Sequence, residues 1–395
     1  MDSLKKRILF SGLLLGISFS MLADQPIEVI KGSHPGAEPP IWVSLSGFTG
    51  EAESVLRFDL YVQGFNFTNA DNAQYLIAGS NNGNFQGRVT DRYNRSTVLA
   101  KAYSGASLRR QTHLFVDEFM KALGRVGISR TKIAFKRDLG STSEIAVSDF
   151  DGAGEQAVTA DRTIVAAPDW VPGRLAVYYT SYKLGNPDIF YHDLSSGQRR
   201  VFSRYAGLNT SAAVSPDGRR VAMILSKGGS PDVYVCRADG TGLLRLTKTR
   251  EDESSPCWSP DGQWICFATK VRERRVLEKI PSTGGAAQVV STPGVMAPSE
   301  PSWSPDGKWI AFTTQAGGFD ICVVPAAGGA VTELVSGEDP SWSPNSRTLV
   351  YARRQGERRV LSLLDVPTKQ YKDISRIREV ILNPAGRISP FPKKL

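Results

Sequence analysis

Three histidines (His34, His113, His192) and four cysteines are the chain's whole stock of nitrogen and thiol ligands. A multi-histidine metal centre or a cysteine-rich scaffold needs more of them, at closer spacing. His113 precedes Asp117 by four residues, one helical turn, which brings ring and carboxylate within hydrogen-bond reach. Such a pair acts as a general base only beside a nucleophile. No Gly-x-Ser-x-Gly elbow, Walker A loop, His-Glu-x-x-His motif or dinucleotide glycine fingerprint occurs in the 395 residues. His113 therefore reads as a structural contact at a domain junction. His34 falls in a Gly/Pro loop and His192 in a strand run. Glu251-Asp252-Glu253 has the charge to attract a cation, yet three adjacent carboxylates on a loop read as a solvated charge run. No catalytic residue, cofactor or metal is expected. The competing reading, an exported lyase or hydrolase with a cation in its funnel, would concentrate charge ahead of the inner strands, where this chain places mainly Ser, Thr and Ala.

The elements that position these residues are repeated. Ser-Pro-Asp-Gly occurs at 215–218, 259–262 and 304–307, with a degenerate Ser-Pro-Asn-Ser at 343–346. Trp258, Trp303 and Trp342 precede three of the copies, and Pro168-Asp-Trp170-Val-Pro-Gly173 is a further degenerate one. Proline presets φ, Asp tolerates the next position and Gly closes the turn. Each copy leads into a short β-type run such as Val221–Ile224 or Ile310–Phe312, then a second alternating run such as Asp232–Val235 or Asp320–Val323. With Ile133–Phe135 there are six such units of about 40–45 residues, the signature of a β-propeller. The tryptophans are large enough to fill the wedge between blades. If the turn closes over 260–263, Cys257 faces Cys266 across a hairpin. Cross-strand bonding there is strained, so two free buried thiols are expected. Cys236 and Cys322 fall on strands of different units.

Before the repeats, Ile41–Leu45, Tyr75–Ala78 and Gln86–Val89 read as strands, and so does Ile27–Ile30. Glu51–Leu60 and Leu108–Leu123 read as helices, the latter on its Phe115, Val116, Phe119, Met120 stripe. Lys5, Lys6 and Arg7 followed by the apolar Ile8–Leu22 read as an export signal, too short to span a bilayer. The expected organisation is a signal peptide over 1–23, an α/β domain over 24–128 and a six-bladed propeller over 129–395. The first unit has no inner-strand motif, and Ile388–Pro392 looks like an orphan inner strand that completes it. Deleting residues 388–395 is then expected to lower the melting temperature out of proportion to eight residues; an unchanged melting temperature would disprove the closure. The net charge of +9 is scattered, which suits weak attraction to acidic surfaces and argues against nucleic acid.

Leu108-Arg-Arg-Gln-Thr-His113 with Asp117, running into Thr131-Lys-Ile-Ala-Phe135, resembles the TolB family, periplasmic propeller proteins of the Tol–Pal cell-envelope system. The resemblance covers essentially the whole chain after the signal. It implies a monomeric, non-enzymatic adaptor, peripheral to membranes, that supports outer-membrane integrity and envelope invagination at division. It implies that the propeller mouth binds the peptidoglycan-associated lipoprotein Pal. The matching positions, just before the inner strands, are Leu208, Asn209, Ser211, Ser254, Ser255, Ser299, Glu300, Glu338 and Asp339. It further implies that the extended segment Asp24–Ser33, with Ile27, Glu28, Val29 and Ile30, contacts TolA. The Gly/Pro-rich run 32–40 suggests that this segment alternates between docked and free, and so tunes binding at the mouth.

Overall fold

The computed structural model describes residues 35–377, apart from 316 and 357. The export signal, Ile27–Ile30, His34 and Ile388–Pro392 lie outside the described residues. The first layer is a mixed sheet of β1 (Ile41–Ser46), β2 (Phe65–Phe67), β3 (Tyr75–Ser80), β4 (Gln86–Asp91) and β5 (Thr97–Ala102), in the order β2-β1-β3-β4-β5. Helices α1 (Gly50–Tyr61) and α2 (Leu108–Ala122) bury Leu56, Leu60, Phe115 and Phe119 against Val43, Ile77 and Val89 of the sheet. Ser107 caps α2 by accepting from the Arg110 N–H at 3.3 Å, and Gly124, at φ 73°, stops it. Beyond it, a Cβ on Gly127 would lie 2.4 Å from the Asp117 carboxylate, so only glycine passes there.

The rest is a ring of six antiparallel sheets. Blade 1 holds β6 (Lys132–Asp138), β7 (Ser143–Asp149) and β8 (Gln156–Ala157). Blade 2 holds β9 (Val165–Trp170), β10 (Ala176–Ser181), β11 (Asp188–Asp193) and β12 (Arg199–Ser203). Blade 3 holds β13 (Asn209–Val214), β14 (Arg220–Leu225), β15 (Asp232–Arg237) and β16 (Leu244–Arg245). Blade 4 holds β17 (Ser254–Trp258), β18 (Trp264–Val271), β19 (Arg274–Pro281) and β20 (Gln288–Val290). Blade 5 holds β21 (Ser299–Trp303), β22 (Trp309–Gln315), β23 (Phe319–Pro325) and β24 (Thr332–Ser336). Blade 6 holds β25 (Glu338–Trp342), β26 (Thr348–Gln355), β27 (Arg358–Asp365) and β28 (Gln370–Asp373). Val350, Leu361 and Leu363 of blade 6 pack with Ile133, Phe135 and Ala146 of blade 1, which seals the ring. Among the described residues blade 1 has three strands, with β6 at its inner edge.

The repeated turn works through its serine. Ser215 Oγ donates to Asp217 and accepts the Arg220 N–H at 2.9 Å, while Gly218 stands at φ 70°. Ser259 with Asp261 and Ser304 with Asp306 repeat the arrangement, and in the degenerate copy Asn345 replaces Asp and Ser346 takes the left-handed place at φ 53°. Trp258 fills the expected wedge, packed against Ile224, Val233 and Val235 of blade 3, and its indole N–H donates to Ala213 O at 2.8 Å. Trp342 does the same toward blade 5, donating to Ser302 O at 3.1 Å. Trp303 differs: it bonds Gly307 O in its own turn and is only half-buried. Cys257 and Cys266 are register partners, and all four cysteines are buried free thiols. Among the described residues no helix is long and apolar enough to cross a membrane.

Candidate functional site

In blades 2–6 the innermost strand, β9, β13, β17, β21 or β25, starts on one face of the ring, here the mouth, lines a central channel and carries a bulge at the same place. The bulged residues Ala167, Ser211, Ser255, Glu300 and Asp339 have φ of 50°, 54°, 51°, 53° and 56°. Left-handed backbone at a non-glycine residue costs stability, and five aligned copies mark a built feature. All five line a channel pocket of about 90 Å³, with Asp169 and the prolines at 256, 301 and 340. The bulges interlock neighbouring blades. The Asp339 N–H donates to Glu300 and to Thr313 Oγ1, both at 3.0 Å, and the Ser211 N–H donates to Thr180 Oγ1 at 3.3 Å.

Of the positions named from the sequence, Ser211, Ser255, Glu300 and Asp339 therefore meet around the channel. Leu208, Ser254 and Ser299 are half-buried just upstream. Asn209 is fully buried: its side chain holds Tyr205 O, Gly207 O and the Tyr205 N–H and so shapes the approach loop. Glu338 is buried and paired with Arg359 at 2.9 Å; burial is the main reason its pKa stands above the usual carboxylate range. Ala167 and Asp169 of blade 2 were not read from the sequence. The signal for them was present, because a proline four residues ahead of the turn proline recurs at 168, 256, 301 and 340. Around the mouth the loops expose Tyr182, Leu184, Tyr205, Val271, Met296 and Phe319. An apolar rim about a polar channel is the arrangement of a docking face.

The acidic run does not converge. Glu253 turns inward to accept from Thr247, Thr249 and Thr269, and burial raises its pKa. Among the described residues no group of three or more His, Cys, Asp or Glu side chains is placed to hold a metal.

His113 is not bonded to Asp117, as its spacing suggested. Its Nδ1 lies 2.7 Å from Asp59 of α1 and its Nε2 3.9 Å from Asp151 of blade 1. Asp117 is taken by the Ser129 N–H and Arg130 Nε, both at 2.8 Å, and so ties the helix to the chain entering blade 1. The i, i+4 spacing is satisfied, but the linker's donors reach Asp117 first and the fully buried Asp59 claims the ring. Arg109 completes the junction by bonding Asp149 and Asp151 of the propeller. Burial pushes the His113 pKa down; the charge and hydrogen bond of Asp59 outweigh it and leave it raised. Burial likewise pushes Asp59 up, to about 6. A base raised in the fold stabilises below its unfolded value near 6.5 and loses that contribution as pH rises through its folded pKa. His113→Gln is expected to cost about 1–3 kcal/mol at pH 6. The gap between the wild type and the double variant Asp59→Asn with His113→Gln, which keeps neither titrating group, should then narrow from pH 6.5 to 8.5. A gap that stays constant in urea titrations across that range would refute the charged pair.

The family model for the TolB β-propeller domain matches residues 119–387. The chain belongs to the TolB propeller family. Curated relatives named "Tol-Pal system protein TolB" include one from Anaeromyxobacter sp. (strain K), 33% identical over 155 residues, 39% of this chain and 36% of the relative. The one from Bordetella pertussis is 30% identical over 210 residues, 51% of this chain and 48% of the relative. These alignments span about a third to a half of the relatives' length. The crystal structure of TolB from Acinetobacter baumannii superposes with a TM-score of 0.76 at 19% identity, covering 90% of this chain and 96% of that one. A chain of the nidogen/laminin complex also superposes, with a TM-score of 0.51 at 12% identity over 66% of this chain and 96% of that one. Likeness at such identity is one of fold, so membership of the TolB family rests on the sequence match.

Proposed function

We propose that this chain is a non-enzymatic periplasmic adaptor of the Tol–Pal system. It binds the lipoprotein Pal at the propeller mouth and TolA through residues 24–33, and supports outer-membrane integrity and envelope invagination at division. The observation that carries this is the mouth: five strained bulges ring a channel of about 90 Å³, inside a rim of exposed apolar side chains. That channel is well below the volume of a typical small-molecule site, whereas rim and bulges together fit a loop of a folded partner. Family membership and the relatives' shared name support the same reading. The N-terminal segment is either docked or free, and its release for one partner changes affinity for the other.

The test is a pull-down from envelope extract. Ser299→Arg puts a long cation at the half-buried mouth edge and should cut lipoprotein recovery about tenfold or more, as loss of a central contact does, while TolA recovery is kept. Deleting 24–33 should abolish TolA recovery and alter Pal recovery. Unchanged recovery of both partners in both variants would refute the reading.

A further inference from the structure

A cavity larger than the channel lies between blades 1 and 2. It measures about 460 Å³ against about 90 Å³, inside the range of roughly 300–1,000 Å³ that small-molecule sites occupy. Leu175, which follows the turn ending β9, lines it, so it lies at the end of the ring opposite the mouth. Val158, Leu175 and Leu194 form its floor and are the half-buried edge of the core between the two blades. The outer strand β8 stops after two residues and leaves that edge open. The charged part of the lining is Arg110 of α2, Lys132 and Asp149. Asp149 already holds Lys132 at 2.6 Å and Arg109 at 2.8 Å. Arg110 is exposed and has no acidic partner among the described residues. It is also a costly choice for its helix: the first turn of α2 holds no acidic residue, and a cation there opposes the positive end of the helix dipole. Arg109, in the same turn, is offset by Asp149 and Asp151; Arg110 is not. Burial keeps the pKa of His192, also in the lining, below its usual value, so the ring adds no charge at neutral pH.

We propose that this cavity binds a small amphipathic anion, with an apolar body against Val158, Leu175 and Leu194 and one acid group on the Arg110 guanidinium. The surplus cation selects the charge, and the open core edge selects the apolar body. A bound anion also offsets the repulsion that Arg110 meets at the start of α2. None of these residues lies at the mouth, so the site stands whether or not a partner docks there.

The experiment is a fluorescence titration of residues 24–395, which keep every described residue and omit the apolar stretch 8–22. The probes are 8-anilinonaphthalene-1-sulfonate and N-phenyl-1-naphthylamine, the same rings without the sulfonate. The sulfonate should bind, and Arg110→Gln should weaken it about tenfold, as loss of a charged hydrogen bond does, while leaving the neutral dye unchanged. The melting temperature should hold or rise, because the variant removes a cation from a helix N-terminus. Ala157→Trp places a ring in the cavity from an exposed strand position and should abolish sulfonate binding. Arg219→Gln, an equal charge loss at the turn of blade 3, and Phe319→Ser at the mouth rim should both leave it intact. No sulfonate binding, equal weakening of both dyes by Arg110→Gln, equal loss in Arg219→Gln, survival in Ala157→Trp, or loss in Phe319→Ser would each overturn the proposal.

Discussion

Trp258→Ala is expected to lower the unfolding free energy by about 3–5 kcal/mol. The indole is 3% exposed and packs against β14 and β15 of the preceding blade, so its removal opens a cavity between two blades, where neither sheet can collapse alone. The same change removes the indole N–H bond to Ala213 O and the ring beneath the Arg220 guanidinium, 4.7 Å from its centroid. Trp258→Phe separates the contributions: it keeps most of the wedge and loses only the hydrogen bond, and should cost about 1–2 kcal/mol. Trp303→Ala is the internal comparison. It bonds within its own turn and is half-buried, so its cost should fall below that of Trp258→Ala. Urea unfolding of the three variants checks the order, and equal losses at 258 and 303 would show that these rings do not hold blade to blade.

The same residues show what was legible in the sequence. The Trp-Ser-Pro-Asp-Gly repeat is local: hydroxyl, carboxylate and glycine all act within six residues, so the turn, the blade period and the Cys257↔Cys266 register could be read directly. The strands β2 and β5 were not read. β2 spans three residues, too few to show alternation, and the burial pattern of β5 is that of a mostly exposed edge strand. The pairing of His113 with Asp59 was likewise out of reach, because 54 residues separate them and the nearer Asp117 satisfied the helical spacing. At the mouth the positions could be counted from the turn motif. Their bulged geometry could not, because serine, glutamate, aspartate and alanine all occupy the left-handed place. The recurring proline beside it was the one local trace.

The degenerate turn of blade 6 lies at the junction with the first layer. In blades 3, 4 and 5 the residue after the turn glycine, Arg219, Gln263 or Lys308, is exposed. In blade 6 that residue is Arg347, and it is nearly buried beneath the first layer. It bonds Asp365 through Nε and Nη2, the latter at 2.9 Å, and reaches Glu38 at 3.0 Å. Thr348 Oγ1 meets Val62 O at 3.2 Å, and a Cβ on Gly64 would fall 2.5 Å from Arg347 Nη2, so the loop after α1 is fitted to this turn. The copy that exchanged Asp-Gly for Asn-Ser is the one pressed into holding the α/β layer.

Arg347→Met is therefore expected to be costly, at about 3–5 kcal/mol, because it leaves the fully buried Asp365 carboxylate without its countercharge. Burial already raises the Asp365 pKa above the usual carboxylate value, with Arg347 pulling it back down. Without the guanidinium the folded pKa climbs further. An acid raised in the fold stabilises at low pH and loses that contribution as pH rises through its folded value. The deficit of Arg347→Met should accordingly be largest near pH 8 and shrink toward pH 5, whereas lost packing alone would give a deficit independent of pH. Adding Asp365→Asn should recover much of the loss at pH 8, since the neutral amide needs no counterion and still accepts from Thr368, whose hydroxyl lies 2.6 Å from Asp365. Urea titrations of the single and double variants at both pH values decide the matter. A deficit that does not change with pH, or a double variant no more stable than the single, would show that this arginine holds the layers together by contact area alone.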